Sequence, residues 1–419
     1  MRREHGPGRQ WGWWRRGGCR SWQSRATRGQ LRAFTCAFLL FLSQLPALAQ
    51  QGEEPSAPEA SSRPSVAQSA AAALEQGKTG EALRLYQRGV AANPEWDEGW
   101  WWIGVLEYEQ RRWAEAVKAF RTVTALQPEL GPAWVMTGVC QYQLKKFYRA
   151  LDNIERGLSL GLGGNAALRF SAFYHKAVLL TRIEEYERAF NILYSLAKQQ
   201  PNSEQVIAAM GVCILRLPLA PAEVPGPWKD VVRRAGQAFV YSALDEGEKA
   251  QELLEELIAA DPRFPNLHYA YGQFLAVRNS ARAEEMFRKE LELDPNHVPA
   301  RLQLAWLHLN RGRSAEALPL AEEALELDPD SASPRYVLGR VLLDLGRYED
   351  AARRLEEARE LAPESSLVHQ YLAQTYFRLG RREEAQAELA EVDRLRRRLL
   401  EQEQGLIVSG TGREDASEP

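Results

Sequence analysis

The sequence is short of the residues that staple or catalyse. It holds four cysteines in 419 residues, and only Cys140 and Cys213 lie beyond residue 49, which excludes a disulfide framework. These two sit at matching places in look-alike segments, Gly138-Val139-Cys140 and Gly211-Val212-Cys213. Helices pack about 8–10 Å apart, so such positions fall beyond the roughly 7 Å reach of a bridge, and both are expected to be small apolar fillers on buried helix faces. Histidine is also scarce. His175, His268, His297, His308 and His369 contain no pair at metal-ligand spacing. Neither a Gly-x-x-x-x-Gly-Lys phosphate loop nor a Gly-x-Ser-x-Gly elbow occurs. Acidic pairs such as Glu255-Glu256 and Glu322-Glu323 stand among Arg and Lys and read as solvated helix faces. No catalytic residue, cofactor-binding residue or metal ligand is therefore assigned, and the expectation is a protein that is not an enzyme and carries no cofactor.

Long apolar runs are lacking too, apart from Ala33 to Pro46. Nine arginines and one glutamate precede that run in residues 1–32, and Ala47-Leu48-Ala49 follow it. Basic, apolar and small-residue segments in that order are expected to be a secretory signal peptide over 1–49, since a membrane span needs roughly 20 apolar residues; an uncleaved signal anchor tethering the chain to a membrane is the alternative. Without residues 1–49 the net charge is −11, which argues against nucleic-acid and anionic-membrane partners. The remainder is expected to have no integral membrane span and to be periplasmic or secreted. Residues 50–62 read as a disordered linker and 405–419 as a loose tail.

What the chain does have is a period. Ala82, Ala116 and Ala150 are 34 residues apart, as are Ala317, Ala351 and Ala385. Pro94 and Pro128 keep the same step, and so do Pro295, Pro329 and Pro363. Gly104 and Gly138, then Ala305, Gly339 and Ala373, mark the other helix of each unit. In residues 97–130 the first helix carries Trp100, Ile103, Gly104 and Glu107, and a short turn follows at 110–112. The second helix carries Trp113, Ala116, Phe120 and Val123. Gly104 and Ala116 lack bulk, so the two helices can close on each other, with Trp100, Trp134 and Phe120 filling the wedges. Pro128 ends the second helix and fixes the turn to the next unit.

An aromatic, a Leu-Gly-like pair, then Ala, an aromatic and Pro: this pattern resembles the tetratricopeptide repeat, in its exported bacterial kind. The resemblance implies an all-α, right-handed superhelical solenoid of helix-turn-helix units. They are placed at 63–96, 97–130, 131–164 and 170–203 in an N-terminal block over 63–203. The C-terminal block, 231–404, holds 231–264, 265–297, 298–331, 332–365 and 366–399 and ends in a capping helix. Residues 204–230 break the pattern: a helix-like run stops at Pro218 and a Pro-rich stretch replaces the expected second helix. A hinge between blocks is the favoured reading, a decorated repeat the other.

The resemblance also implies an inner wall formed by the first helix of each unit, a groove for an extended or helical peptide. Its candidates are Trp101, Val105, Tyr108, Val135, Tyr142, Tyr174, Tyr269, Trp306, Tyr336, Arg340, Gln374 and Phe377. Three successive tryptophans, Trp100-Trp101-Trp102, cannot all face one core, so at least one of Trp101 and Trp102 is expected either to anchor a partner or to pack on a neighbouring unit. The Lys/Asn carboxylate clamp of chaperone-binding relatives has no counterpart, because the matching slots hold aromatics, Val and Gln. The expected function is a scaffold of the cell envelope binding proteins or peptides. Recognition of glycans by the same aromatics, or a place as accessory subunit of an enzyme complex, are the alternatives. A homo-oligomer is compatible with the sequence.

Overall fold

The computed structural model describes residues 66–408, with side chains through residue 398; the stretches expected to be signal peptide (1–49) and linker (50–62), and the expected tail past residue 408, lie outside the described residues. Every regular element among them is helical. The first eight helices are α1 (Val66–Glu75), α2 (Thr79–Ala92), α3 (Asp97–Glu109), α4 (Trp113–Leu126), α5 (Gly131–Gln143), α6 (Phe147–Leu160), α7 (Ala166–Arg182) and α8 (Tyr186–Gln199). Then come α9 (Glu204–Ile214), two single 3-10 turns at Pro221–Glu223 and Gly226–Trp228, α10 (Lys229–Ala243) and α11 (Gly247–Ala260). The last eight are α12 (Leu267–Leu275), α13 (Ser280–Leu293), α14 (Val298–Asn310), α15 (Ser314–Leu327), α16 (Ala332–Asp344), α17 (Tyr348–Leu361), α18 (Ser366–Arg378) and α19 (Arg382–Val408). Helix α19 outlasts the cap expected to end at Gln404. Each helix packs chiefly on those next to it in sequence, with lighter contacts between successive first helices such as α5 and α7 or α14 and α16. That is a helical solenoid.

One interlock recurs. The alanine of the second helix is wholly buried at Ala82, Ala116, Ala150, Ala189, Ala250, Ala317, Ala351 and Ala385. Opposite it, a small residue of the first helix lies under a large one of the second: Gly104 under the Phe120 ring, Gly138 against Ile154, Gly272 under Phe287 and Gly339 under Leu355. Small against large lets the axes approach while the bulky residue fills the space, and burying such a side chain is worth about 1.5–3 kcal/mol.

The irregular segment packs on the helices around it. Helix α9 ends in the same left-handed turn residue, Arg216 at φ 47°, that Arg111, Lys145 and Glu184 supply after other first helices. The second helix is then delayed by the Pro-rich detour, and α10 takes up its place on α9. The crossing is so tight that a Cβ on Gly211 would collide with the Val232 carbonyl, and one on Gly236 with the Ile207 carbonyl. Helix α10 also pairs with α11, whereas α11 touches α12 only lightly. The array continues across the break through Asn266, whose side-chain amide donates to the Leu215 carbonyl at 2.8 Å.

Because backbone cannot yield as a ring does, Gly211→Ala and Gly236→Ala should each cost at least about 2–3 kcal/mol. Gly104→Ala, meeting only the Phe120 ring, should cost less. Urea denaturation of the three variants checks the order.

Candidate functional site

First helices present the candidate wall, and the structure divides its residues. Trp101, Val105, Val135 and Tyr269 are buried, so they are not open to a partner as expected. Trp101 lies edge-on to Phe120 at 5.4 Å, and Trp102 stacks on Tyr86 of the preceding hairpin at 6.1 Å. The triple tryptophan is spent on cover, Trp101 inside its own hairpin and Trp100 and Trp102 toward the preceding unit. Tyr108, Tyr142 and Tyr174 are half-buried: Tyr108 meets Trp113 at 5.2 Å, and His175 takes Tyr142 at 5.3 Å and Tyr174 at 5.4 Å edge to face. The His175 Nδ1–H donates to the Ser171 carbonyl at 2.8 Å, and burial lowers its pKa.

The C-terminal stretch is more open. Trp306, Tyr336 and Tyr371 follow one another along α14, α16 and α18, with ring centres 6.2 and 5.8 Å apart. The Arg340 guanidinium lies 4.6 Å over the Tyr371 ring and pairs with Asp344 at 2.7 Å. Gln374 is exposed and Phe377 is 46 % exposed. The Tyr336 hydroxyl is buried without a hydrogen-bond partner. Tyr371 escaped the sequence reading because it stands one residue off the regular wall positions, although three aromatics in successive first helices were there to be seen.

Between the stretches lies a cavity of about 320 Å³ that includes Tyr186, Phe190, Arg216, Phe239 and Gln273 in its lining. Arg216 stacks on Tyr186 at 4.4 Å and Tyr269 at 5.7 Å and bonds Glu187 at 2.7 Å. Arg216 lies in the broken unit, where periodicity gives no guidance.

Tetratricopeptide repeat models match residues 68–131 and 107–158, and again 274–332, 311–370 and 342–398. The chain belongs to the tetratricopeptide repeat family. Similar solved structures include a MamA double mutant described as RS-1 ArsTM, at 27 % identity and TM-score 0.35, over 40 % of this chain and 96 % of that one. Residues 41 to the end of MamA from Desulfovibrio magneticus RS-1 match at 27 % identity and TM-score 0.35, over 39 % and 96 %. YrrB, described as a tetratricopeptide repeat protein with an unusual peptide-binding site, matches at 21 % identity and TM-score 0.33, over 39 % and 84 %. No curated protein matches the sequence. No helix among the described residues is long and apolar enough to cross a membrane.

In this tetratricopeptide array the turns between units share a lock that the period did not reveal. The side chain six residues past the turn proline donates to that proline's carbonyl: Trp100 to Pro94 at 2.9 Å, Trp134 to Pro128 at 2.8 Å and Arg301 to Pro295 at 2.8 Å. His268 and His369 do the same through Nε2 to Pro262 and Pro363, both at 2.9 Å. The repeated Pro-x5-Trp spacing was the available signal. Elsewhere buried charge is paired. Glu284 is desolvated, yet Arg311, Arg288 and Arg313 hold its pKa below the usual range. Cys140 and Cys213 are free and buried, with both thiols pushed up to about 12 by desolvation.

His297 ties the tetratricopeptide units around the break. Its Nδ1 accepts the Ala300 N–H at 2.9 Å, capping α14, so the proton sits on Nε2, which donates to the Asn266 Oδ1 at 2.7 Å. Burial lowers its pKa to about 4; burial also lowers those of His175, His268 and His308. An unfolded imidazole protonates near 6.5, so between there and about 4 the unfolded chain binds more protons and stability falls as pH falls. Urea midpoints should drop steadily from pH 7 to pH 5. His297→Asn, which keeps a capping oxygen without a titrating ring, should flatten part of that slope.

Proposed function

We propose that the chain is a scaffold that holds a segment of a protein partner along the wall of its first helices and brings no chemistry of its own. One observation carries this reading: the run Trp306, Tyr336 and Tyr371, half-buried and in mutual contact, with Arg340 laid over its end and Phe377 open beyond it. Rigid aromatics with an arginine beside them are the residues that anchor partners at low entropic cost. YrrB's description as peptide-binding agrees with a peptide as occupant. A setting in the cell envelope is part of the proposal and rests on the basic, apolar and small-residue order of residues 1–49.

Crosslinking followed by pull-down from the native envelope tests the reading. Arg340→Ala with Phe377→Ala should reduce recovery of the partner at least about tenfold, the effect of one modest anchor, and leave the melting temperature nearly unchanged, since both side chains reach solvent. Full recovery by a folded double variant would contradict the proposal.

A further inference from the structure

A second pocket opens where one unit boundary turns polar. Helices α4, α5 and α6 enclose a cavity of about 540 Å³, within the roughly 300–1,000 Å³ of small-ligand sites. Its floor is Thr124, Thr137 and Gln141, each more than nine-tenths buried. Several matching positions in other units are aliphatic: Val90, Leu291 and Leu325 for Thr124; Ile103, Leu304, Leu338 and Leu372 for Thr137; Leu180, Leu275 and Leu342 for Gln141; others are polar, among them Arg359, Lys176, Gln237 and Tyr241. Charged sister positions such as Glu107, Lys176 and Arg359 are paired, with Arg112, Glu155 and Glu388. Three buried, uncharged polar side chains meeting at one boundary give up packing that units with aliphatic residues there retain.

The polar groups are only partly used. Thr137 donates to the Ala133 carbonyl at 2.8 Å and Thr124 to the Arg121 carbonyl at 3.0 Å, leaving both oxygens able to accept. The Asn153 amide donates to Gln141 Oε1 at 2.8 Å and to the Arg149 carbonyl at 2.7 Å. The Gln141 amide N–H groups and the Asn153 oxygen have no partner among the described residues. Trp134 lends its ring alone, because its N–H is taken by Pro128. The guanidinium groups of Arg121 and Arg149, and the Asp152 carboxylate, line the cavity and make no ion pair among the described residues.

We propose that this cavity binds one acidic sugar residue. Buried neutral donors and acceptors beside an aromatic ring suit a polyhydroxylated ring, and the two arginines suit its single carboxylate. Asp152 at the same site disfavours a multiply charged phosphate. The residues involved leave α5 on a different face from Val135 and Tyr142, so the site is separate from the peptide wall and does not rest on it.

Calorimetric titration of the full chain with sodium glucuronate, glucose and inorganic phosphate tests the assignment. Saturable glucuronate binding is expected, with glucose and phosphate at least about tenfold weaker. Arg149→Gln should weaken it by a similar factor, and Thr137→Leu, the residue of the last three units, should abolish it while the melting temperature holds or rises. Tighter binding of an oligogalacturonate would place the sugar in a polymer, and equal binding would indicate a free monosaccharide; both uphold the site. Absence of glucuronate binding, phosphate binding as tightly, or unchanged binding in folded Thr137→Leu would each overturn it.

Discussion

The structure depends on one contact made over and over: a residue without bulk on one helix pressed under a ring or branched chain on the next. Gly104 beneath Phe120, Gly272 beneath Phe287 and Gly339 beneath Leu355 are instances of the same fit. Each hairpin still leaves an apolar face uncovered, and the neighbouring hairpin covers it. The tryptophans show how far this goes. Trp101 and Trp102 contribute large surface; Trp102 seals the space to the preceding unit and Trp101 packs on Phe120 of its own hairpin.

From that constraint follows what the wall can offer. Near the N-terminus the inter-unit cover consumes much of the aromatic surface, leaving tyrosines half-buried around His175. Toward the C-terminus the equivalent positions hold Arg340, Gln374 and Phe377, which cover neighbours less completely and stay in reach of solvent. At the break, α10 serves two neighbours at once, made possible by the absent side chains of Gly211 and Gly236. Asn266 and His297 then carry hydrogen bonds from the end of α9 to the start of α12 and on to the start of α14.

Much of this was legible from residue spacing. Alanine, glycine and proline recurring every 34 residues are direct consequences of helices that must approach, stack and turn, so the period discloses the helical hairpins. The wall was less legible, because Trp101 and Tyr269 hold positions that face the groove in register while their exposure depends on the rings packed on them, Phe120 and Phe287. Arg216 and Asn266 could not be singled out, since they act where the period fails. The polar floor of Thr124, Thr137 and Gln141 was open to a comparison of unit with unit, but only contact between helices shows that the three meet in one place.

Mutual cover between hairpins is tested most directly on a single unit taken alone. A peptide of residues 97–130, holding α3 and α4 with Gly104, Ala116 and Phe120, should show little helix by circular dichroism in water. A longer fragment over residues 66–199 should be strongly helical and unfold cooperatively. A stably folded, cooperatively melting 97–130 peptide would contradict the account.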